Sequence, residues 1–570
     1  MAPVVLPRLP GRHLPLAVAV AARRRLAAEW AGLSPDNWLP APSDTGLSGS
    51  PRDLRPADVK AGQRLLKGDF RLAGLPFETG SRGDPWDRPS PSYAFAVALH
   101  RMDWLRDLLS AGRPGAVEAL RLLLDWRRGF GRPGGFAWTP DVLERRVFNL
   151  ACSLRIVCAG ASEAETAALA RSLLAQARRL LTLDDGRPRA AERCAAAAVA
   201  ASALSGKRVE GLKARALARL ARALPQTVLA DGGHASRSPQ AGLDLLFDLL
   251  TLDESLTERG QAAPPAMMQA IDRLLGAVRF FTLSDGRLPA MQGGEAMTAA
   301  VVAAARAEDE WADRPAPNGL GGFHRMGGLK GLEIFADAAP AAAGAWSVTA
   351  CAQPLALEIL AGGRPLIGGQ GWSPGGRGPQ ALRMVEAAST LALGDEGCGG
   401  PLSGFAAAAL GPRLDDARYD VRAERREADG AVWLDMTHDG WAQRLALRCE
   451  RRLYLDPAAE ELRAEDRFTA LGGRRRVAGH FIPYAIRFHL HPGVSALAAR
   501  DGKSVLIKAE GQEQAWLLRT DAQDVHLEPS LRFLGAGEVR RSQQIVLRGQ
   551  VRVEQGARVR WKLSPAEPQR

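Results

Sequence analysis

The apolar pattern of this chain changes period once, and that change limits what it can fold into. From about residue 90 to 307, apolar side chains recur at helical spacing through alanine- and leucine-rich segments, among them Tyr93–Ser110, Asp141–Ala159, Glu163–Thr182, Ala190–Leu204 and Pro265–Thr282. Short Gly, Pro and Asp turns separate them, as in antiparallel helical hairpins set in a ring or solenoid. After the polar, proline-bearing stretch Glu308–Asn318 the apolar residues come in strand-length runs. Leu355–Leu360 and Pro365–Gly368 read as one hairpin, Leu445–Leu455 and Leu462–Phe468 as another, and Phe481–Leu490, Ser504–Lys508 and Val559–Leu563 continue the pattern. The spacing predicts an all-α domain followed by an all-β domain of antiparallel sandwich type. We expect an N-terminal arm with leading helices over 1–89, the helical domain over 90–310 and the strand domain over 319–570.

Length agrees with more than one core, since 570 residues far exceed the ~100–200 of a typical domain. The net charge of +12 rests almost wholly on arginine, because only eight of the 75 basic residues are lysine. The arginines are spread along the chain without a basic block, so no nucleic-acid partner is expected, whereas another anionic partner is permitted. Six cysteines lack Cys-x-x-Cys spacing and read as small buried hydrophobes. Leu14–Ala22 has the length of a signal-peptide apolar region but is too short to span a bilayer, and Arg23, Arg24 and Arg25 follow it at once. An amphipathic helix over 14–30 is expected, with a cleaved leader as the alternative. No other segment predicts a transmembrane helix, and the oligomeric state is not legible.

Several residues carry the chemistry a binding cleft would need. His234 follows Asp231-Gly232-Gly233, a turn whose glycines let backbone approach a ligand, and precedes Arg237 and Ser238 at a helix start. Arg237 suits bidentate binding of a carboxylate or sulfate; equally, Asp231 and Ser238 suit a turn and a cap, with His234 satisfying a buried carbonyl. His100 and Trp104 stand four apart on one helix face, where they serve either as a sugar platform or as core. Trp86, Trp126 and Trp138 carry the same two readings. Of Arg145 and Arg146, one pairs with Asp141 on the helix surface and the other is free to enter a cleft. His489 and His491 alternate on a strand and so share a face, as interface residues or as part of a metal site. Glu358 and His438-Asp439 read as structural.

Taken in order, several phrases closely resemble the heparinase II/III family of polysaccharide lyases. They are Gly83-Asp84-Pro85-Trp86, the Leu99–Leu108 helix, Trp138-Thr139-Pro140-Asp141 with Arg145-Arg146, Asp231–Pro239, Asp285-Gly286-Arg287-Leu288, His438-Asp439-Gly440-Trp441, Glu450–Leu455 and Arg487–Pro492. The resemblance implies an incomplete α/α toroid followed by an antiparallel β-sandwich, a cell-envelope or periplasmic setting, and β-elimination on an acidic, uronate-containing glycan. Without a convincing leader, a cytoplasmic setting stays open.

Such elimination requires neutralising the C5 carboxylate, removing the C5 proton and protonating the departing O4. In that family a toroid tyrosine and a sandwich histidine share the work, beside a zinc held partly by a His-x-His-x-x-Asp phrase. Here that phrase corresponds to Thr349–Glu358, where both histidines and the aspartate are missing. The family's Ala-His-Ser-Thr-Leu phrase has Ala388 in place of histidine, and Gln240-Ala241-Gly242-Leu243 stands where its tyrosine is expected. Only His489, His491 and Cys351 remain as zinc-ligand candidates, so no zinc or other cofactor is expected. Two functions follow. One is a lyase with His234 as base or carboxylate partner, Arg237 with Arg145 or Arg146 on the uronate, and His100, Trp104 and Trp138 lining the cleft. The other is a glycan-binding or envelope scaffold that kept the fold and lost the chemistry.

Overall fold

The computed structural model describes residues 13–32, 44–182, 188–312, 314, 316–376, 378–395, 397–415, 419–471 and 481–567. Arg8 and Arg12 before the first helix, and Asp313 and Pro315 in the interdomain stretch, lie outside them.

The helical half is a toroid of hairpins built around one helix. Ala190–Ala203 is buried on every side from Ala191 onward. Its small side chains let Pro140–Val157, Lys207–Thr227 and Pro239–Thr257 close around it. Helix starts follow local chemistry. Before Glu163–Thr182, the Glu165 carboxylate accepts from the Ser162 backbone N–H at 2.8 Å and the Ser162 hydroxyl accepts from the Glu165 N–H at 3.3 Å, a reciprocal cap. The expected helix Tyr93–Ser110 is broken in two, because Met102 takes a left-handed conformation (φ 60°) that ends Tyr93–Arg101 before Leu105–Leu109 begins. The leading arm also contains a hairpin, Asp69–Leu72 with Leu75–Glu78, whose four-residue strands are too short to register as alternation.

The strand half is two stacked antiparallel sheets. An inner nine-stranded sheet runs from Asp524–Phe533 through Val539–Arg552, Phe481–Leu490, Arg364–Gly368, Leu357–Ala361 and Leu332–Asp337 to Phe323–Gly327 and Gly319–Leu320, with Leu391–Leu393 also paired to Phe481–Leu490. The outer sheet has eight strands. In order they are Val421–Ala428, Ala431–His438, Leu447–Asp456, Glu461–Ala470, Ala557–Pro565, Trp516–Thr520, Ser504–Ala509 and Val494–Ala498.

The inner sheet is covered on both faces, so every residue of Leu332–Asp337 is buried. Its Phe323, Phe335 and Leu360 enter the toroid's core, while Ile334, Leu357 and Ile359 enter the core between the sheets. At the seam, Phe280 lies 5.5 Å from Phe335 and Phe281 lies 5.5 Å from Phe323, centroid to centroid. The outer sheet has one wet face: along Leu447–Asp456, Leu447, Cys449, Arg451, Leu453 and Leu455 point in, while Arg448 and Arg452 are exposed. The N-terminal helix, Leu14–Gly32, packs Ala17 against Ala409 and Leu410 of Gly404–Leu410 on the strand half.

Candidate functional site

The turn before Pro239–Thr257 lies at the seam between toroid and inner sheet. The Asp231 carboxylate accepts from the Gly233 N–H at 3.0 Å and from the Gly321 N–H, across the seam, at 2.8 Å. A Cβ at Gly232, whose φ is 95°, would stand 2.4 Å from the Arg273 carbonyl oxygen, so the turn's close approach serves the protein's own backbone. The Ser238 hydroxyl caps the following helix by accepting from the Ala241 N–H.

Arg237 itself is left-handed (φ 63°) and spans the seam. Its guanidinium donates to Asp337 Oδ1 at 2.6 Å and to the carbonyls of Gly321, Gly322, Ala339 and Pro340 at 3.0–3.3 Å, with the Phe323 ring beneath it. Every nitrogen that would clasp a uronate is engaged. His234 is buried: Ser236 Oγ lies 2.7 Å from Nδ1, Glu192 Oε1 lies 3.6 Å from Nε2, and Trp346 meets the ring edge-on.

Behind His234 a chain of charges, buried apart from the partly exposed Arg189, crosses the toroid. Glu192 and Glu144 both face Arg189, at 3.9 and 2.6 Å. Burial opposes ionisation of Glu192, but His234 and Arg189 overcome it and hold the carboxyl down at about 2. Burial raises the Glu144 carboxyl against the pull of Arg189. Arg145 donates to both oxygens of Asp248 at 2.9 and 2.7 Å, and Asp248 also receives Arg55, which holds Asp53. Arg145 is thus an interior partner of Asp248 and not a surface partner of Asp141.

His100, Trp138 and Arg146 come together elsewhere, in an aromatic cage. The Arg146 guanidinium lies 4.4 Å from the Trp126 ring centre and 5.6 Å from that of Trp138, and donates to Gln176 Oε1 and to the carbonyls of His100 and Ala137. It has no carboxylate partner among the described residues, and burial brings it down to about 9. Trp126 Nε1 donates to His100 Nδ1 at 3.1 Å; burial, then Arg146, depresses the imidazole to about 4. Trp104 stands apart, buried edge-on against Phe70 with its Nε1 donating to the Leu99 carbonyl.

On the sheet side, both ring nitrogens of His489 are in use, with Ser530 Oγ and the Glu386 carbonyl each 2.9 Å away. His491 borders a small seam cavity with Glu358 and Arg532, which face each other at 3.6 Å. Burial pushes the Cys351 thiol up to about 11. Among the described residues, no group of three His, Cys, Asp or Glu side chains is placed to hold a metal ion. The described residues therefore do not fit a zinc ion.

The seam cavity holds about 20 Å³ and the one against His234 about 10 Å³. A single water needs roughly 10–15 Å³, so neither admits a sugar ring. Sequence reasoning missed the carboxylates that hold these cations: Asp337, Glu192 and Asp248. One signal was available, the Glu192-Arg193 pair inside an otherwise small apolar helix, since charges in such a run are buried only with partners.

The family model for the heparinase II/III-like C-terminal domain matches residues 314–562. FtsZ-localized protein C of Caulobacter vibrioides is 47% identical over 567 residues, covering 98% of this chain and 97% of that protein. Among solved structures, heparinase III aligns with a TM-score of 0.70 at 13% identity, over 91% of this chain and 88% of that one. A mutant of the heparan sulfate lyase HepC from Pedobacter heparinus aligns with a TM-score of 0.57 at 15% identity, over 97% and 89%. At those identities the two structures speak for the fold alone.

Proposed function

The chain belongs to the heparinase II/III-like family, and from that membership we propose that it is a scaffold that kept the lyase fold, lost β-elimination, and acts by binding partners where FtsZ assembles. The location is taken from the name of the Caulobacter relative. The observation that carries the loss of chemistry is the closure of Arg237 onto five acceptors across the seam. A guanidinium committed to joining two domains cannot also neutralise a substrate carboxylate, and without that neutralisation the C5 proton stays too weakly acidic to remove. The missing histidines at 349, 351 and 388 support the same reading.

Elimination on an acidic glycan is the second reading, favoured by the fold. One assay decides between them: purified protein is incubated with heparin, heparan sulfate, chondroitin sulfate and alginate while the far-UV absorbance of the unsaturated uronate is followed. A flat trace on all four is expected, together with co-sedimentation of the protein with FtsZ polymers. A rise that His234→Ala abolishes would restore the lyase reading.

A further inference from the structure

We propose that the wet face of the outer sheet is a docking surface for an acidic, extended segment of a protein partner. Cross-strand register lines up its outward side chains in rows: Asp435, Arg452, Glu465 and Arg560 in one, and Trp433, Tyr454, Arg463 and Lys562 in the next. Within these rows the carboxylates are oversubscribed. Glu465 alone receives three guanidiniums, from Arg467 at 2.8 Å, Arg560 at 3.1 Å and Arg558 at 3.8 Å. Glu461 holds both Arg463 and Lys562, at 2.5 and 2.7 Å. Asp435 stands between Arg426, which also leans on Glu424, and Arg452. Arg422 and Arg448 are exposed on the same face with no acidic partner among the described residues. The face therefore carries unmatched positive charge, fixed in a lattice by strand spacing instead of scattered on flexible loops.

Three features select an acidic polypeptide as the occupant. The interleaved carboxylates would repel a polymer or membrane charged at every unit, whereas a peptide can set its own acidic side chains over the cations alone. Guanidiniums already aligned by the sheet take carboxylates in paired hydrogen bonds. The Trp433–Tyr454 pair, 5.1 Å apart with Arg463 over the tyrosine, offers an apolar contact within the charged field. Four strands about 4.8 Å apart give a patch of roughly 400–500 Å², the size of a transient, salt-sensitive interface. The inference takes from the scaffold reading only that the partner is a protein.

The experiment measures binding of labelled poly-L-glutamate to the full-length protein by fluorescence anisotropy. Arg448→Glu/Arg452→Glu/Arg560→Glu is compared with Arg208→Glu/Arg215→Glu/Arg222→Glu on the toroid helix Lys207–Thr227, so both variants change net charge equally. The sheet triple is expected to weaken binding at least about tenfold and the helix triple less than about twofold. Arg448→Gln/Arg452→Gln/Arg560→Gln, expected to lie between, guards against misfolding by reversal. Equal losses from both triples would mean that net charge alone attracts the probe and would overturn the proposal. So would stronger binding to the same face by duplex DNA or phosphatidylglycerol vesicles at matched charge. Uronate release in the lyase assay, with the sheet-triple effect intact, would overturn the scaffold reading and leave the docking face standing.

Discussion

Arg237 and Arg451 show how this family member uses cations at the scale of single residues. Each is buried against one carboxylate, Arg237 on Asp337 and Arg451 on both oxygens of Asp466 at 2.7 and 2.9 Å. Arg237→Ala would strand the Asp337 charge at the seam, where among the described residues the Gln292 amide and, at 3.4 Å, the Ala339 N–H would still donate to it. A loss of about 3–5 kcal/mol is expected in urea denaturation. Arg237→Lys should recover only part of it, because an ammonium cannot fork to five acceptors. At Asp466, Trp561 Nε1 supplies a third donor at 2.9 Å. Asp466→Leu or Arg451→Met alone should therefore destabilise far more than the two together, and a double-mutant cycle that came out additive would refute the buried-pair account.

At the scale of elements, the helix Ala190–Ala203 makes the sharpest demand, since its neighbours approach it closely on all sides. Ala197→Leu has no free direction for the added carbons, and a loss of roughly 1–3 kcal/mol of unfolding free energy is expected in urea denaturation. The apolar period made this helix, Glu163–Thr182 and the strand Phe481–Leu490 legible from sequence to within a residue or two, because each buries a regular face. The break at Met102 was hidden, because a left-handed methionine leaves no mark in composition. The candidate site was legible only as residue types. Arg237 meets Asp337 100 positions away, and Arg145 meets Asp248 103 positions away. Whether such a cation faces a ligand or an internal carboxylate depends on tertiary contacts that no local pattern encodes.

At the scale of the molecule, neutral imidazoles sit in every layer. His100 in the toroid is depressed to about 4, His489 and His491 at the seam to about 4 and about 2, and His438 beneath the outer sheet to about 3, in each case chiefly by burial. An unfolded chain binds protons at these positions near pH 6.5. Below that pH it gains protons the native state refuses, so stability is full above about pH 7 and falls as pH drops toward the folded values. Each histidine contributes a slope of up to about 1.4 kcal/mol per pH unit in that window. Glu144 and Glu358, raised by burial, act in the opposite sense, regaining stability as pH falls toward their unfolded value. Burial likewise raises Asp107 and Asp253 and depresses His324, so among the described residues five histidines oppose four carboxyls, and the urea midpoint should decline between about pH 7 and 5. Because the histidines span both cores, toroid and sandwich should lose stability together, giving coincident transitions by tryptophan fluorescence and far-UV circular dichroism. His489→Gln, which can keep a hydrogen bond to Ser530 without a titrating group, should flatten the decline by about one proton's worth. An unchanged slope in that variant would mean that His489 is charged in the native protein, against the burial and the two hydrogen bonds that define its place.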